Sequence, residues 1–169
     1  MYYDLDRIWS PHPQLHGDEH ARGGADPLRG GAILFTRKAA GQTITTATDT
    51  KVLIDTKDFG PGGLQLTWNS TSNRIDVNET GVYVVSGGLA WDVNGTGLRN
   101  VMIFLNGAQL LQAVNNPNTA TRTYVSLSFP YRFSAGDYLE LYARQNSGVD
   151  LSTDAVDKNP YLAVAWMSS

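Results

Sequence analysis

From residue 32 onward the chain is a succession of short segments in which apolar and polar residues alternate, each bounded by turn-forming residues. In Leu64–Trp68 and in Thr123–Phe129 every second residue is large and apolar. Successive side chains of a β-strand point to opposite faces of a sheet, so this period of two predicts half-buried strands. No segment has the period of an amphipathic helix, and the sequence therefore predicts an all-β domain.

A hairpin is predicted where Asn106-Gly107 separates the apolar segments Val101–Leu105 and Gln109–Leu111, because this dipeptide favours the tightest β-turns. Gly81–Trp91 is long enough to be a central strand. The other predicted strands are Ala32–Thr36, Thr43–Thr46, Lys51–Asp55, Leu64–Trp68, Ile75–Val77, Thr123–Phe129, Tyr138–Ala143 and Tyr161–Trp166. About eight to ten strands at such spacings predict an antiparallel β-sandwich jelly roll.

The first 31 residues differ from the rest, since they contain all 3 histidines together with Gly and Pro residues that oppose long helices and paired strands. We therefore expect an extended N-terminal arm, residues 1–31, followed by a head domain, residues 32–169. Apolar side chains in the arm favour burial against a partner. The expected docking residues are Tyr2, Tyr3, Leu5, Ile8, Trp9, His16, His20, Asp26, Pro27 and Leu28.

Composition narrows the class of partner. A formal net charge of -3 provides no basic field for phosphates, so nucleic acid is not an expected partner. The absence of cysteine excludes disulfides and thiolate chemistry. The sequence has neither a signal-peptide pattern at its start nor an apolar run long enough to span a bilayer, so we expect synthesis in the host cytoplasm and no membrane insertion.

Three segments follow one another in a familiar order: Glu79–Gly87, Val101–Gly107 and Phe133–Leu141, before a terminal apolar strand. This order resembles the complement globular-head and tumour-necrosis-factor-like jelly rolls, over roughly residues 32–169. Members of that family form tight trimers around a threefold axis. The resemblance therefore implies that this chain is a homotrimer.

A second resemblance lies in the arm, where His20-Ala-Arg-Gly-Gly-Ala-Asp-Pro27 is similar to a segment of minor structural proteins of tailed bacteriophages. In such proteins the segment connects a virion-bound N-terminus to a distal domain. The resemblance implies a minor tail protein, a fibre or a capsid decoration on the virion surface. The partner it implies is the major capsid protein or a tail-tip protein, and the choice between head and tail stays open.

Two groups of side chains could bind a metal, and each has a plainer interpretation. One group is His12, His16 and His20, which recur every four residues but lie among prolines that oppose the helix needed to align them. The other is Asp150, Asp154 and Asp157, whose carboxylates could bind calcium or be solvated in a loop. The plainer interpretation is preferred for both groups, so we expect no metal and no cofactor.

Alternation assigns one set of strand residues to the sandwich core: Val82, Val84, Leu139, Leu141, Leu162, Val164 and Trp166. The opposite faces then predict a trimer interface made by Tyr83, Tyr138, Tyr142 and Tyr161. Alternatively, these rings could line a glycan-binding groove, since sugars stack on aromatic rings. The loops expected to contact a glycan are residues 94–100, 115–122 and 146–158.

Catalysis is not expected, because the sequence has no Gly-x-Ser-x-Gly motif and no histidine after His20. No catalytic residue is assigned. The sequence instead predicts a structural protein on the surface of a tailed-phage virion, a trimeric knob that decorates or stabilises the particle and contacts the host. The alternatives are a host-glycan-binding tail protein and, less favoured, a glycan-degrading enzyme.

Overall fold

The computed structural model describes residues 32–60 and 63–169, and the predicted arm lies outside the described residues. Within the described ranges every regular element is a strand, and no helix there could cross a membrane. The strands are β1 (Ile33–Arg37), β2 (Thr43–Ile44), β3 (Thr50–Lys51), β4 (Thr56–Phe59), β5 (Leu66–Asn69), β6 (Arg74–Val77), β7 (Gly81–Trp91), β8 (Arg99–Leu105), β9 (Ala108–Asn115), β10 (Thr123–Phe133), β11 (Tyr138–Gln145), β12 (Leu151–Ser152) and β13 (Tyr161–Ser168).

The strands form two main antiparallel sheets. The five-stranded sheet has the order β10-β7-β13-β1-β4, and the six-stranded sheet has the order β5-β6-β11-β8-β9, with β3 paired to β11. β2 and β12 form a separate two-stranded pair. Because β13 lies between β1 and β7, the last strand is a central member of its sheet. The predicted antiparallel β-sandwich jelly roll is confirmed.

The core lies between the two sheets and is filled by alternate side chains of both. Leu162 and Val164 of β13 are almost completely buried, as are Leu139 and Leu141 of β11. Those four core positions are confirmed. Burial of such side chains stabilises a fold by about 25 cal/mol per Å² of apolar surface removed from water.

The predicted phase of β7 is wrong, because Tyr83 is completely buried and its neighbours Val82 and Val84 are half-buried. The Tyr83 ring packs 5.8 Å from that of Phe133 between centroids, and its hydroxyl donates to the Glu79 carbonyl at 2.6 Å. A buried hydroxyl with a backbone acceptor is a stable arrangement. Burial raises the pKa of Tyr83 to about 12. Tyr83 therefore belongs to the core and cannot form part of an interface between folded subunits.

The predicted hairpin is confirmed at the junction of β8 and β9. Asn106 and Gly107 both have positive φ, 53° and 81°, as a tight hairpin turn requires. The Asn106 side chain also holds the next strand: its Nδ2 donates to Asp137 Oδ1 at 2.7 Å, and its Oδ1 accepts from the Tyr138 amide at 2.9 Å. The turn therefore joins β8, β9 and the start of β11.

The predicted strand Lys51–Asp55 is only partly formed. Val52 and Ile54 are buried and Leu53 is exposed, as the alternation suggests. The regular strand ends at Lys51, and the last bond to β11 is the one that the Val52 amide donates to the Leu141 carbonyl at 2.8 Å. The Ile54 amide donates to the Val52 carbonyl at 2.9 Å, and this local bond replaces the ladder. The apolar pattern therefore predicts the burial of this segment correctly and its pairing incorrectly.

Arg99, at the start of β8, is completely buried although it is charged. Its Nη2 donates to the Asn94 carbonyl at 2.7 Å, and its Nη1 donates to the carbonyls of Thr96 and Leu98 at 2.9 and 3.1 Å. The guanidinium carbon lies 5.9 Å from the centre of the Trp91 ring. No ion-pair partner of Arg99 occurs in the described part of the chain, and burial lowers its pKa. Arg99 thus holds the loop between β7 and β8 through backbone carbonyls.

Candidate functional site

The central part of the outward side of the five-stranded sheet is a continuous surface of small and apolar side chains, here called the apolar face. It consists of Ile33, Phe35, Phe59, Val82, Val84, Pro130, Ala163 and Ala165. Cross-strand register places Ala163 between Phe35 and Ser86, and Ala165 between Ile33 and Val84. The centre of this face therefore carries no charged side chain and no large projection.

Two members of the apolar face are strongly exposed for their type. Ile33 is 47% exposed and Phe59 is 55% exposed. Isolated exposed apolar residues are common on proteins, but these two lie within one contiguous surface, and such surfaces mark interaction sites. The small residues on β13 allow another molecule to approach the backbone closely. The arrangement is therefore suited to binding a protein surface.

Three stacked rings border the apolar face. Phe35 lies 5.3 Å from Phe59 and 5.4 Å from Tyr161 between ring centroids, with interplanar angles of 12° and 13°. The Tyr161 ring covers Gly88, where an added Cβ would lie 2.3 Å from Tyr161 Cε1. Burial raises the pKa of Tyr161. Gly88 therefore allows Tyr161 to lie flat on the sheet and extend the apolar surface.

Charged side chains lie at two corners of this surface. Arg132 pairs with Val82 at one corner, and Asp58 with its partners lies at the other. Asp58 Oδ1 accepts from Arg37 Nε at 2.7 Å, and Asp58 Oδ2 accepts from Lys158 Nζ at 2.9 Å. Hydrogen bonds from Lys158 and Arg37 lower the pKa of the Asp58 carboxyl. An apolar centre with a polar border is the usual composition of a protein interface.

The four tyrosines predicted to form one interface lie in three different places. Tyr161 adjoins the apolar face, and Tyr83 is in the core. Tyr138 and Tyr142 lie on β11 in the other sheet, where their neighbours Leu139 and Leu141 face the core. Side chains on the outward sides of opposite sheets cannot meet one flat partner. The predicted four-tyrosine interface is therefore wrong as a single surface, although a role for Tyr161 stays a prediction.

Tyr138 and Tyr142 have partners within their own subunit. The Tyr142 ring stacks on Phe104 with centroids 3.9 Å apart, and the Arg74 guanidinium carbon lies 4.1 Å from the centre of the Tyr138 ring. Nearby, Lys51 forms an ion pair with the buried Glu140. These contacts give both rings a structural role on the outer side of the six-stranded sheet.

The three loop aspartates have separate partners. Asp150 accepts from the Thr46 amide at 3.3 Å, Asp154 pairs with Arg122, and Asp157 accepts from the Tyr124 hydroxyl at 3.1 Å. In residues 32–60 and 63–169 no group of 3 or more His, Asp or Glu side chains is arranged to hold a metal. His12, His16, His20 and all the predicted docking residues lie outside the described residues.

Sequence reasoning missed the apolar face itself. Its signal is the pair of alanines at alternate positions of β13, Ala163 and Ala165, where a surface strand would ordinarily carry polar side chains. Phe35 and Phe59 were not assigned to any surface, because sequence alone does not place β4 beside β1.

The comparisons with known proteins come from sequence and from structure. No protein-family model matches the chain. An uncharacterized protein of Acanthamoeba polyphaga mimivirus is 34% identical over 100 residues, which is 56% of this chain and 42% of that protein. This chain thus spans less than half the length of the viral protein it matches.

Solved structures resemble the whole described head. The Eiger TNF of S. frugiperda superposes with a TM-score of 0.59, 13% identity, and coverage of 82% of this chain and 92% of that chain. Murine APRIL superposes with a TM-score of 0.61, 12% identity, and coverage of 81% and 99%. Likeness at such low identity shows the fold alone. The described part of this chain therefore has a tumour-necrosis-factor-like jelly-roll fold.

Proposed function

We propose that the chain is a non-enzymatic structural protein of a virus particle, in which three copies of the head domain associate through the apolar face. The observation that carries this proposal is the uncharged surface centred on Ala163 and Ala165. Ile33 and Phe59 are strongly exposed, so association with a second copy is favoured because it removes this apolar surface from water. The trimer follows from the resemblance to jelly-roll families that form trimers around a threefold axis.

A viral source is supported by the sequence relative in a mimivirus. It agrees with the phage structural protein expected from the segment His20–Pro27. We propose that residues 1–31 dock the trimer on a capsid or tail protein at the virion surface, after synthesis in the host cytoplasm. Three arms on one trimer raise the effective concentration of each, so weak individual contacts give lasting attachment.

Binding rather than catalysis is proposed because the head has few side chains suited to general acid and base catalysis. Residues 32–169 contain no histidine and no cysteine. The acidic side chains discussed above each accept hydrogen bonds from Arg, Lys, Asn or Tyr side chains or from backbone amides. Such an arrangement suits a stable surface better than proton transfer.

The substitution Ala163→Glu tests the interface. It is expected to convert trimers to single 18.4-kDa chains at micromolar concentration, since a carboxylate at the centre of an apolar interface loses its hydration without a partner. In the isolated head the same carboxylate faces water, so the fold is expected to survive. Light scattering after size-exclusion chromatography gives the mass, and circular dichroism checks the fold.

Thr67→Glu is the matched control, because Thr67 is exposed on β5 of the other sheet and its hydroxyl accepts from Asn78 Nδ2 at 2.8 Å. A glutamate there retains an acceptor and adds the same charge, and the mass is expected to stay at three chains. A folded Ala163→Glu protein that stays trimeric, or a wild-type protein that is monomeric at these concentrations, would contradict the proposed interface.

The particle location has its own experiment. Virus particles from the producing system are labelled with antibodies against residues 32–169 and viewed by electron microscopy. Label over the shell would support a capsid decoration, and label at a tail tip would support a minor tail protein. Purified particles that carry no label would contradict the virion proposal.

A further inference from the structure

An exposed tyrosine lies at the loop end of β10, away from the centre of the apolar face. Tyr124 is 47% exposed and pairs with Ala90 of β7, which is completely buried. Its hydroxyl donates to Asp157 Oδ2 at 3.1 Å. The ring is therefore held in place while much of its surface remains in contact with water.

Charged and polar groups surround this ring. Arg122 forms an ion pair with Asp154 through Nε, and no hydrogen bond involves its two terminal nitrogens among the described residues. The side chain of Arg122 is 48% exposed. A planar guanidinium with open donors can bind two neighbouring oxygen atoms of a ligand.

The loops that carry these groups are fixed by hydrogen bonds. The Asp154 amide donates to the Ala90 carbonyl at 2.8 Å, and the Asn118 amide donates to Thr123 Oγ1 at 2.8 Å. Asn115 Nδ2 donates to the Tyr124 carbonyl at 3.3 Å. Groups held in position before a ligand arrives lose little entropy when they bind it.

We infer that Tyr124, Arg122, Asp154 and Asp157 form a binding site for a neutral sugar. The apolar face of a sugar ring packs on the exposed Tyr124 ring, and its hydroxyls pair with the guanidinium donors and the carboxylate acceptors. This combination of one exposed aromatic ring with neighbouring donors and acceptors matches a ligand that has an apolar face and a polar edge.

Charge determines which class of sugar fits. Asp154 and Asp157 provide two carboxylates for the one guanidinium of Arg122, while Lys158 is engaged by Asp58. An anionic sugar or a phosphate is repelled by this balance, so the ligand is an uncharged hexose or N-acetylhexosamine.

This inference goes beyond the proposed function and does not depend on it, because the site lies within one subunit. Its test uses four neutral methyl glycosides, those of glucose, galactose, mannose and N-acetylglucosamine, with N-acetylneuraminic acid as the acidic comparison. Binding to the full chain is followed by saturation-transfer NMR and by titration of the tyrosine ring signals. At least one neutral glycoside is expected to bind with a millimolar Kd, as is usual for a small ligand on an open surface.

Tyr124→Ala is expected to weaken that binding about tenfold or more, because it removes the stacking surface. The matched control is Tyr131→Ala, since Tyr131 is also exposed on β10 but lies at the other end of the strand. Tyr124→Phe retains the ring and loses only the hydrogen bond to Asp157, so it is expected to bind within about fivefold of wild type.

The inference is overturned if none of the four neutral glycosides binds, if the acidic sugar binds at least as tightly, or if Tyr124→Ala binds like wild type. Light scattering of the same samples separates this result from the trimer proposal. A monomeric protein that binds a neutral sugar through Tyr124 would support the sugar site while contradicting the trimer.

Discussion

Replacing Arg99 with alanine is expected to lower the free energy of unfolding by about 3 to 5 kcal/mol. The substitution leaves the carbonyls of Asn94, Thr96 and Leu98 without the donors that now satisfy them. It also removes a large side chain that is completely buried next to Trp91. Urea unfolding followed by circular dichroism, at one fixed protein concentration, measures the change.

Arg99→Met separates hydrogen bonding from packing. Methionine fills much of the same volume but has no hydrogen-bond donors. If Arg99→Met lowers the free energy of unfolding nearly as much as Arg99→Ala does, the stabilisation comes from the three carbonyl contacts. Arg144→Ala, at an exposed position of β11 in the six-stranded sheet, is the control and is expected to change stability by less than about 1 kcal/mol, because its ion pair with Asp49 is exposed to solvent. If Arg99→Ala lowers the free energy of unfolding by no more than this control does, the buried guanidinium does not hold the loop.

Many strands of this fold are predictable from the sequence, because β10 and β11 carry a period of two and β7 and β8 are apolar segments bounded by turn residues. The hairpin at Asn106-Gly107 is the clearest example, since both residues adopt the positive φ that their types favour. Pairing is harder to predict. The segment after Lys51 has the burial pattern of a strand, but its ladder is interrupted by the local bond between Ile54 and Val52.

In β7, alternation of residue types alone does not show which side chains point to the core and which point outward. Val82, Tyr83 and Val84 are all apolar enough to be buried, so the sequence does not say which phase faces the core. The structure buries Tyr83 because its hydroxyl reaches the Glu79 carbonyl. Burial of a tyrosine costs little free energy when its hydroxyl has an acceptor. Val82 and Val84 then point outward and become part of the apolar face.

The candidate surfaces depend on long-range pairing that the sequence does not contain. Phe35 and Phe59 become neighbours only because β4 pairs with β1, and Tyr161 joins them only because β13 lies on the other side of β1. Similarly, Tyr124 and Asp157 are 33 residues apart in the chain and meet through the folding of the last loop. The predicted loops, residues 115–122 and 146–158, therefore contain part of the proposed sugar site but not its central residue, Tyr124.

Gly60→Ala is expected to lower the free energy of unfolding by about 3 to 4 kcal/mol. Gly60 follows β4 directly and has a φ of 101°, which L-residues rarely adopt. An added Cβ would lie 1.9 Å from the Ile33 carbonyl oxygen and 2.8 Å from the Ile33 carbonyl carbon. Because both atoms belong to the backbone, the chain itself must move, and the paired start of β1 moves with it.

Gly136→Ala is the matched control, since Gly136 has nearly the same φ, 97°, and an added Cβ there has no atom within 4 Å. Gly136→Ala introduces the same backbone strain without a steric clash, so it is expected to lower the free energy of unfolding by only about 1 to 2 kcal/mol. The difference between the two variants in urea unfolding measures the contact of Gly60 with β1. Displacement of Phe59 and Ile33 is also expected to weaken the proposed trimer, so Gly60→Ala is expected to dissociate at concentrations where Gly136→Ala stays associated. Equal stability and equal mass for the two variants would show that the approach of Gly60 to Ile33 is not a constraint on the fold or on the apolar face.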